Sequence, residues 1–304
     1  MKVGFIGVGN MGGPMCRNII AKSDHEVIVF DLDREALKRC TELGATAAGS
    51  IAELAAQAEV IMTSLPMPKD VEAVALGPGG IGENARPGTV YFDLSTNAPA
   101  VVRRIAEMLK AKGIAMLDAP VSGGVPGAEA GTIAIMVGGD PVAFEAHLPL
   151  LRSFAANPIH MGEVGAGTIA KLINNMIAFC NMAAASEGLM LGAMAGIDLE
   201  KLCTVIRASS GNSQVFAKLG ERALSGNFKA AFALDLAYKD LHLALELADQ
   251  LGVPVPSAAQ THNLMRMARG MGLGKDDSSS VLRVYEQALG RELHAKHRLP
   301  GAGN

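Results

Sequence analysis

The chain has 304 residues, is 49% hydrophobic and carries a formal net charge of −3. That length and apolar content allow two ordinary domains with sizeable cores and exclude a disordered chain. The near balance of 27 basic and 30 acidic residues leaves no polyelectrolyte footprint, so nucleic acid and anionic membrane surfaces are excluded as expected partners and a small molecule is expected instead.

Lys2 to Ile6 read as a first strand, followed at once by a turn with Gly7, Gly9, Asn10, Met11 and Gly12. This is a dinucleotide-binding turn in its proper setting, between a strand and the start of a helix. Gly7 permits the tight turn, Gly9 lets the backbone approach a pyrophosphate, and Gly12 allows close packing of helix on strand. The helix then directs its N-terminal amides at the phosphates. The fingerprint accounts for the apolar start after Met1 and Lys2, which is therefore not read as a secretory signal.

A second strand is predicted over Glu26–Phe30, with Asp31 at its carboxyl end. A carboxylate there can accept hydrogen bonds from both adenosine ribose hydroxyls and repels a 2′-phosphate, which favours NAD over NADP. Leu32 stands next, where an arginine would help to hold that phosphate; Arg34 lies nearby, and a helix-capping role for Asp31 is the structural alternative.

Further strands are predicted at 60–64, 89–93, 114–118 and 132–137, with helices between them, for example over 98–112. The alternation is that of a parallel sheet covered on both faces, a Rossmann domain over 1–163. Beyond Gly162 alanine, leucine and methionine recur at helical spacing, predicting an all-α domain over 164–296 and a tail over 297–304. Its helices are expected near 168–195, 199–209, 214–224, 234–251, 255–269 and 279–294. The 16 methionines read mainly as gap-fillers in a helix-packed core. The apolar stretch from Leu172 to Ile197 is interrupted by Asn174, Asn175, Asn181, Ser186 and Glu187 and reads as too polar to span a bilayer. Cys16, Cys40, Cys180 and Cys203 are scattered without a CxxC pair or metal-like spacing, as in the reduced thiols of a cytoplasmic protein without a metal site.

Three segments carry candidate chemistry. Asp118 to Gly127 ends a strand with Ser122, Gly123 and Gly124, a hydroxyl and two unobstructed amides able to wrap a carboxylate. Lys171 and Asn175 are four apart in the helix opened by Gly165 and Gly167, so they share a face. A lysine in a dehydrated cleft can have its pKa lowered from about 10.4 toward neutrality, suiting it to exchange a proton with a substrate hydroxyl. Lys239 and Asp240 are two charges inside an apolar helical run, read either as a surface ion pair or as a lysine facing cofactor or substrate and positioned by the aspartate.

With these segments in order, the chain resembles a β-hydroxyacid dehydrogenase of the 3-hydroxyisobutyrate dehydrogenase type over nearly all its length. The resemblance implies that Lys171 is catalytic, that Ser122, Gly123 and Asn175 bind substrate together with Gly124 and Asp240, and that Leu65, Pro66 and Thr96 lie beside the cofactor, with Lys239 at the cofactor–substrate junction. It implies NAD-dependent interconversion of a small β-hydroxy acid and its semialdehyde by a homodimer or homotetramer whose helical half closes the cleft. Ser209, Ser210 and Gly211 resemble the 3-hydroxyisobutyrate enzymes, whereas Asn212, Ser213 and Gln214 depart from them. The choice among 3-hydroxyisobutyrate, tartronate semialdehyde, glycerate, 3-hydroxypropionate, serine and a sulfonate analogue therefore stays open. So do an NADPH-dependent reductase of tartronate semialdehyde, glyoxylate or succinic semialdehyde and a non-catalytic cofactor-binding scaffold.

Overall fold

The structure, a computed structural model, describes residues 1–293; the expected tail over 297–304 lies outside them. The chain packs as two units, Met1–Leu172 and Ile173 onward. The first contains strands β1 (Lys2–Ile6), β2 (Glu26–Phe30), β3 (Thr46–Ala47), β4 (Val60–Thr63), β5 (Val90–Asp93), β6 (Ala115–Asp118), β7 (Val121–Ser122), β8 (Ile133–Gly138) and β9 (Ala155–Gly162). Its helices are α1 (Gly12–Lys22), α2 (Arg34–Thr41), α3 (Ile51–Gln57), α4 (Pro68–Leu76), α5 (Ile81–Asn84), α6 (Pro99–Lys110), α7 (Gly124–Ala130) and α8 (Pro141–Phe154). The helix α9 (Ala166–Met194) carries the chain onward. The expected boundary at 163/164 falls at the start of α9, whereas the division by packing falls within that helix.

The sheet order is β3-β2-β1-β4-β5-β6-β8-β7, with β9 beside β8. The strands from β3 to β6 are all parallel. Apart from the exposed two-residue edge strand β3, they are largely buried on both faces, which is why they read as unbroken apolar runs. Within each run the pleat separates two cores: Val3, Phe5, Val29, Met62 and Phe92 join one, and Ile6, Ile28, Ile61 and Tyr91 the other. Strand order reverses across β1, so the glycine turn after it lies at the switch point where ligands of such sheets bind.

Three elements depart from the purely parallel expectation. The segment predicted over 132–137 is β8, which runs antiparallel to β6 and β7. The only helix in its connection from β6 is the seven-residue α7, too little for a crossover that would return the chain in parallel. Gly123 caps that helix at φ 141, and Pro126 occupies its first turn, where a missing N–H costs nothing. The edge strand β9 contains Pro158, which a central strand would not tolerate. Cys16 and Cys40, distant in sequence, meet as buried free thiols; Cys16 donates to Cys40, raising its own pKa and lowering that of Cys40.

The second unit continues with the rest of α9 and with α10 (Leu199–Arg207), α11 (Gln214–Ser225), α12 (Leu234–Leu251), α13 (Pro256–Gly270) and α14 (Leu282–Leu289). No strand element occurs among its described residues. Asp198 and Ser213 cap α10 and α11 by accepting from the amides of Lys201 and Phe216. Phe179, Leu189, Leu234, Leu241, Met265 and Leu282 form its core with Met182 and Met190, the packing role expected of the methionines. The helix expected over 279–294 begins as a 3-10 turn at Ser278–Val281 and stops at Gly290, whose left-handed φ of 62° ends α14. Contrary to the reading of 172–197 as too polar, α9 is long and apolar enough by composition to cross a membrane, although 44% of its most apolar window is buried in the protein.

His262 is buried and stacks on Tyr238 at 4.2 Å between ring centroids, with His242 at 5.5 Å. Burial, with His242, Arg266 and Arg269 nearby, lowers the His262 pKa from 6.5 to about 4. The unfolded chain therefore binds this proton first, and the contribution of His262 to stability is lost as pH falls from 6.5 toward 4. Thermal melts of wild type and His262→Leu across that window should show a shallower acid-side loss in the variant. Parallel curves would contradict this assignment.

Candidate active site

The glycine turn is fixed from below. The amide of Gly7 donates to Phe30 O at 2.9 Å, and with φ at +86° a Cβ on Gly7 would lie 2.4 Å from Ser64 O. A Cβ on Gly12 would lie 1.9 Å from Gly7 O. Gly7 and Gly12 are thus demanded by the protein's own packing. Gly9 is not, since an added Cβ meets no atom within 4 Å. Its bare backbone faces open space, the cradle a pyrophosphate needs, and the N-cap position of α1, Met11, makes no side-chain capping bond. These features fit a dinucleotide.

Asp31 stands half-buried at the end of β2. Its Oδ2 accepts from the amide of Val8 at 2.7 Å and its Oδ1 from the amide of Asp33 at 2.9 Å. The cap of α2 is Asp33, which accepts from Glu35 N, so Asp31 is left to brace the glycine turn from the position expected of a ribose reader. Leu32 beside it is 91% exposed.

The start of α9 is held by one carboxylate. Asp118, 1% exposed at the end of β6, accepts from the amides of Gly165 at 2.7 Å and Thr168 at 2.6 Å. Burial raises its pKa and these hydrogen bonds oppose the rise. The approach is so close that a Cβ on Gly167 would fall 2.1 Å from Met136 O and one on Gly138 2.5 Å from Asp118 Oδ1. The glycines read as part of a functional motif therefore serve the seating of the helix. Lys171 follows Thr168 by three residues and is buried at 8% exposure. The sequence marks Asp118 only as the start of a motif; a charged residue ending an apolar strand was the available signal for its anchoring role.

Ser122 ends β7 half-buried, followed by Gly123 and Gly124 on the surface. Both glycines have positive φ, 141° and 66°, and a Cβ on Gly123 would approach Ile133 Cγ2 at 3.0 Å. The backbone that presents these two amides is one that L side chains rarely adopt.

In the second unit the structure brings together Asn175, Lys239 and Asp240. Asn175 Nδ2 donates to Asp240 Oδ2 at 2.7 Å, its Oδ1 accepts from Asn174 Nδ2 at 3.1 Å, and Lys239 Nζ lies 3.1 Å from Asp240 Oδ1. Asp240 is 2% exposed, so its carboxylate serves to orient the asparagine amide and the lysine. Leu65 and Thr96 are half-buried and Pro66 exposed beyond the ends of β4 and β5. Among the described residues no cluster of three or more metal-ligating side chains occurs.

The chain matches two family profiles in succession: the NAD-binding domain of 6-phosphogluconate dehydrogenase over residues 2–162 and the NAD-binding region of NADP-dependent 3-hydroxyisobutyrate dehydrogenase over residues 165–285. It is 41% identical to 2-(hydroxymethyl)glutarate dehydrogenase of Eubacterium barkeri, over 95% of this chain and 96% of that protein. It is 37% identical to 3-hydroxyisobutyrate dehydrogenase of Pseudomonas aeruginosa, over 93% of this chain and 98% of that protein. The crystal structure of 3-hydroxyisobutyrate dehydrogenase from Salmonella typhimurium superposes with a TM-score of 0.86 at 31% identity, covering 93% of this chain and 99% of that one.

The glycine geometry predicts opposite outcomes at two neighbouring positions. Gly9→Ala should leave stability within about 0.5 kcal/mol while weakening NAD binding roughly tenfold or more, about 1.4 kcal/mol. Gly12→Ala should destabilise the first unit by about 1–3 kcal/mol or more through overpacking against backbone. Melting curves and NAD titrations of the two variants check both; equal loss of stability would contradict the division.

Proposed function

The chain belongs to the β-hydroxyacid dehydrogenase family, of the 3-hydroxyisobutyrate dehydrogenase type, and from that premise we propose the roles of its residues and its substrate. It is an NAD(P)-binding oxidoreductase acting on CH–OH groups. In our reading a small β-hydroxy acid docks its carboxylate on the Ser122 hydroxyl and the amides of Gly123 and Gly124, with its β-hydroxyl against Lys171. When bound, NAD supplies the acceptor for the hydride that leaves the β-carbon. Lys171 Nζ takes the hydroxyl proton as the aldehyde forms, and in the reductive direction returns it. Asn175, oriented by Asp240, completes the substrate contacts, and Lys239 is assigned to the cofactor with Gly7, Gly9, Asn10, Met11, Gly12, Asp31, Leu65, Pro66 and Thr96.

The observation that carries this reading is the burial of Lys171 just past a helix start fastened to β6. Burying an ammonium-bearing side chain is costly, and proteins accept that cost where the group has work to do. NAD is preferred in this reading because Asp31 puts a carboxylate where NADP would place a phosphate. The substrate is a monocarboxylic β-hydroxy acid such as 3-hydroxyisobutyrate or an analogue bearing a second acidic group, the class of the relative acting on 2-(hydroxymethyl)glutarate.

We further read the enzyme as a cytoplasmic homo-oligomer. Ile173, Ile177 and Leu191 are 47%, 53% and 72% exposed along one face of α9, an apolar surface suited to a second copy.

Lys171→Ala should lower the oxidation rate of the β-hydroxy acid by about a hundredfold or more, in line with loss of general acid–base catalysis, while NAD affinity holds. Normal turnover in this variant would remove Lys171 from the mechanism. Asp31→Ala should lose affinity for NAD and gain in relative use of NADP, read as the ratio of kcat/KM for the two; an unchanged ratio would take the ribose-reading role from Asp31.

A further inference from the structure

The first unit contains a buried polar cluster that none of these steps uses, at the carboxyl ends of β4 and β5. Asp93 is 1% exposed and forms no ion pair among the described residues. Its Oδ1 accepts from Thr63 Oγ1 at 2.9 Å and from the amide of Ser95 at 3.1 Å, and its Oδ2 accepts from Asn97 Nδ2 at 3.3 Å. With the Thr63 proton committed to Asp93, the Tyr91 hydroxyl donates to Thr63 Oγ1 at 2.8 Å. The Asn97 amide cannot turn round, because its Oδ1 accepts from the amide of Ala98 at 2.8 Å. Ser95 extends the network to the other loop, its Oγ accepting from the amide of Leu65 at 2.9 Å.

Strand pairing does not need this carboxylate, since Val60–Thr63 and Val90–Asp93 are already in parallel register through their backbones. What the carboxylate adds lies beyond the strands. It fixes Ser95 and Asn97 on either side of Thr96, and through Ser95 it fixes Leu65 and hence the approach to Pro66. A buried unpaired carboxylate is a costly way to fix two loops unless their geometry matters for something outside the core.

We propose that Asp93 is a positioning residue for the nicotinamide half of the cofactor, acting through the two loops that carry Leu65, Pro66 and Thr96. The strand order supports that placement. Asp31 at β2 stands on the adenosine side and the glycine turn of β1 carries the pyrophosphate, so the remaining half extends over β4 and β5. The inference rests on the reading of Leu65, Pro66 and Thr96 as cofactor contacts.

The test is a reciprocal exchange. Asp93→Asn sets two NH2 groups against each other, and Asn97→Asp sets two carboxylates against each other. Asp93→Asn with Asn97→Asp restores every hydrogen bond of the network with the charge moved by one side chain. The readouts are the dissociation constants of NAD and of ADP-ribose, which lacks the nicotinamide, together with the melting temperature. Each single variant should weaken NAD about tenfold while ADP-ribose binding stays at the wild-type value, and the double variant should recover most of the NAD affinity. Ser95→Ala, which removes the acceptor for the Leu65 amide together with the serine hydroxyl's own bond to Asp93, should show the same selective loss and keeps the proposal open to test if a single exchange fails to fold. Unchanged NAD binding, or equal weakening of NAD and ADP-ribose, would overturn the proposal. Thr96→Ala separates the two levels: weakened NAD binding there with an unaffected Asp93→Asn would sink the role of Asp93 alone, whereas unaffected NAD binding in both would sink the assignment of these loops to the cofactor.

Discussion

Two hydrogen bonds accepted by one buried carboxylate seat the helix that carries Lys171. Asp118 takes the amides of Gly165 and Thr168, two of the donors that the first turn of an α-helix leaves without partners. A carboxylate is the strongest acceptor a side chain offers, and it also faces the positive end of the helix dipole. The glycines at 138 and 167 remove the side chains that would hold α9 away from β6 and β8. In our account the reacting lysine is placed by this clamp: its burial, its height along the helix and its distance from the Ser122 loop all follow from where α9 begins.

The cofactor side follows a similar plan. Carboxylates at strand ends, Asp31 on β2, Asp93 on β5 and Asp118 on β6, accept backbone amides from the segments that follow or neighbour them. Each converts a loop at the carboxyl edge of the sheet into a fixed surface. The physical reason is common to all three: amides at strand and helix ends have no partner in the regular ladder, and an anion satisfies them at short range while the sheet below supplies rigidity.

Much of this was legible in the sequence. The strands β1, β2 and β4 to β6 announced themselves as apolar runs, and the bounds of α12 were readable because Leu234 starts a clean helical period that Gly252 ends with a left-handed φ of 66°. The fingerprint glycines were readable because each answers a distinct steric demand. What escaped the sequence depends on tertiary pairing. The antiparallel direction of β8 is set by the shortness of α7, itself hidden in a segment whose glycines and prolines look like a turn. The edge strand β9 is disguised by Pro158. Among candidate site residues, Asp240 read as a substrate contact or a positioning group, and its bonds to Asn175 and Lys239 favour the second.

The account turns on where the substrate hydroxyl sits. A crystal structure with NADH and 3-hydroxyisobutyrate bound together, a combination that cannot react, measures this directly. The account predicts the carboxylate on Ser122, Gly123 and Gly124 and the β-hydroxyl within hydrogen-bond distance of Lys171 Nζ. A hydroxyl held by other groups, with Lys171 turned away from it, would contradict it.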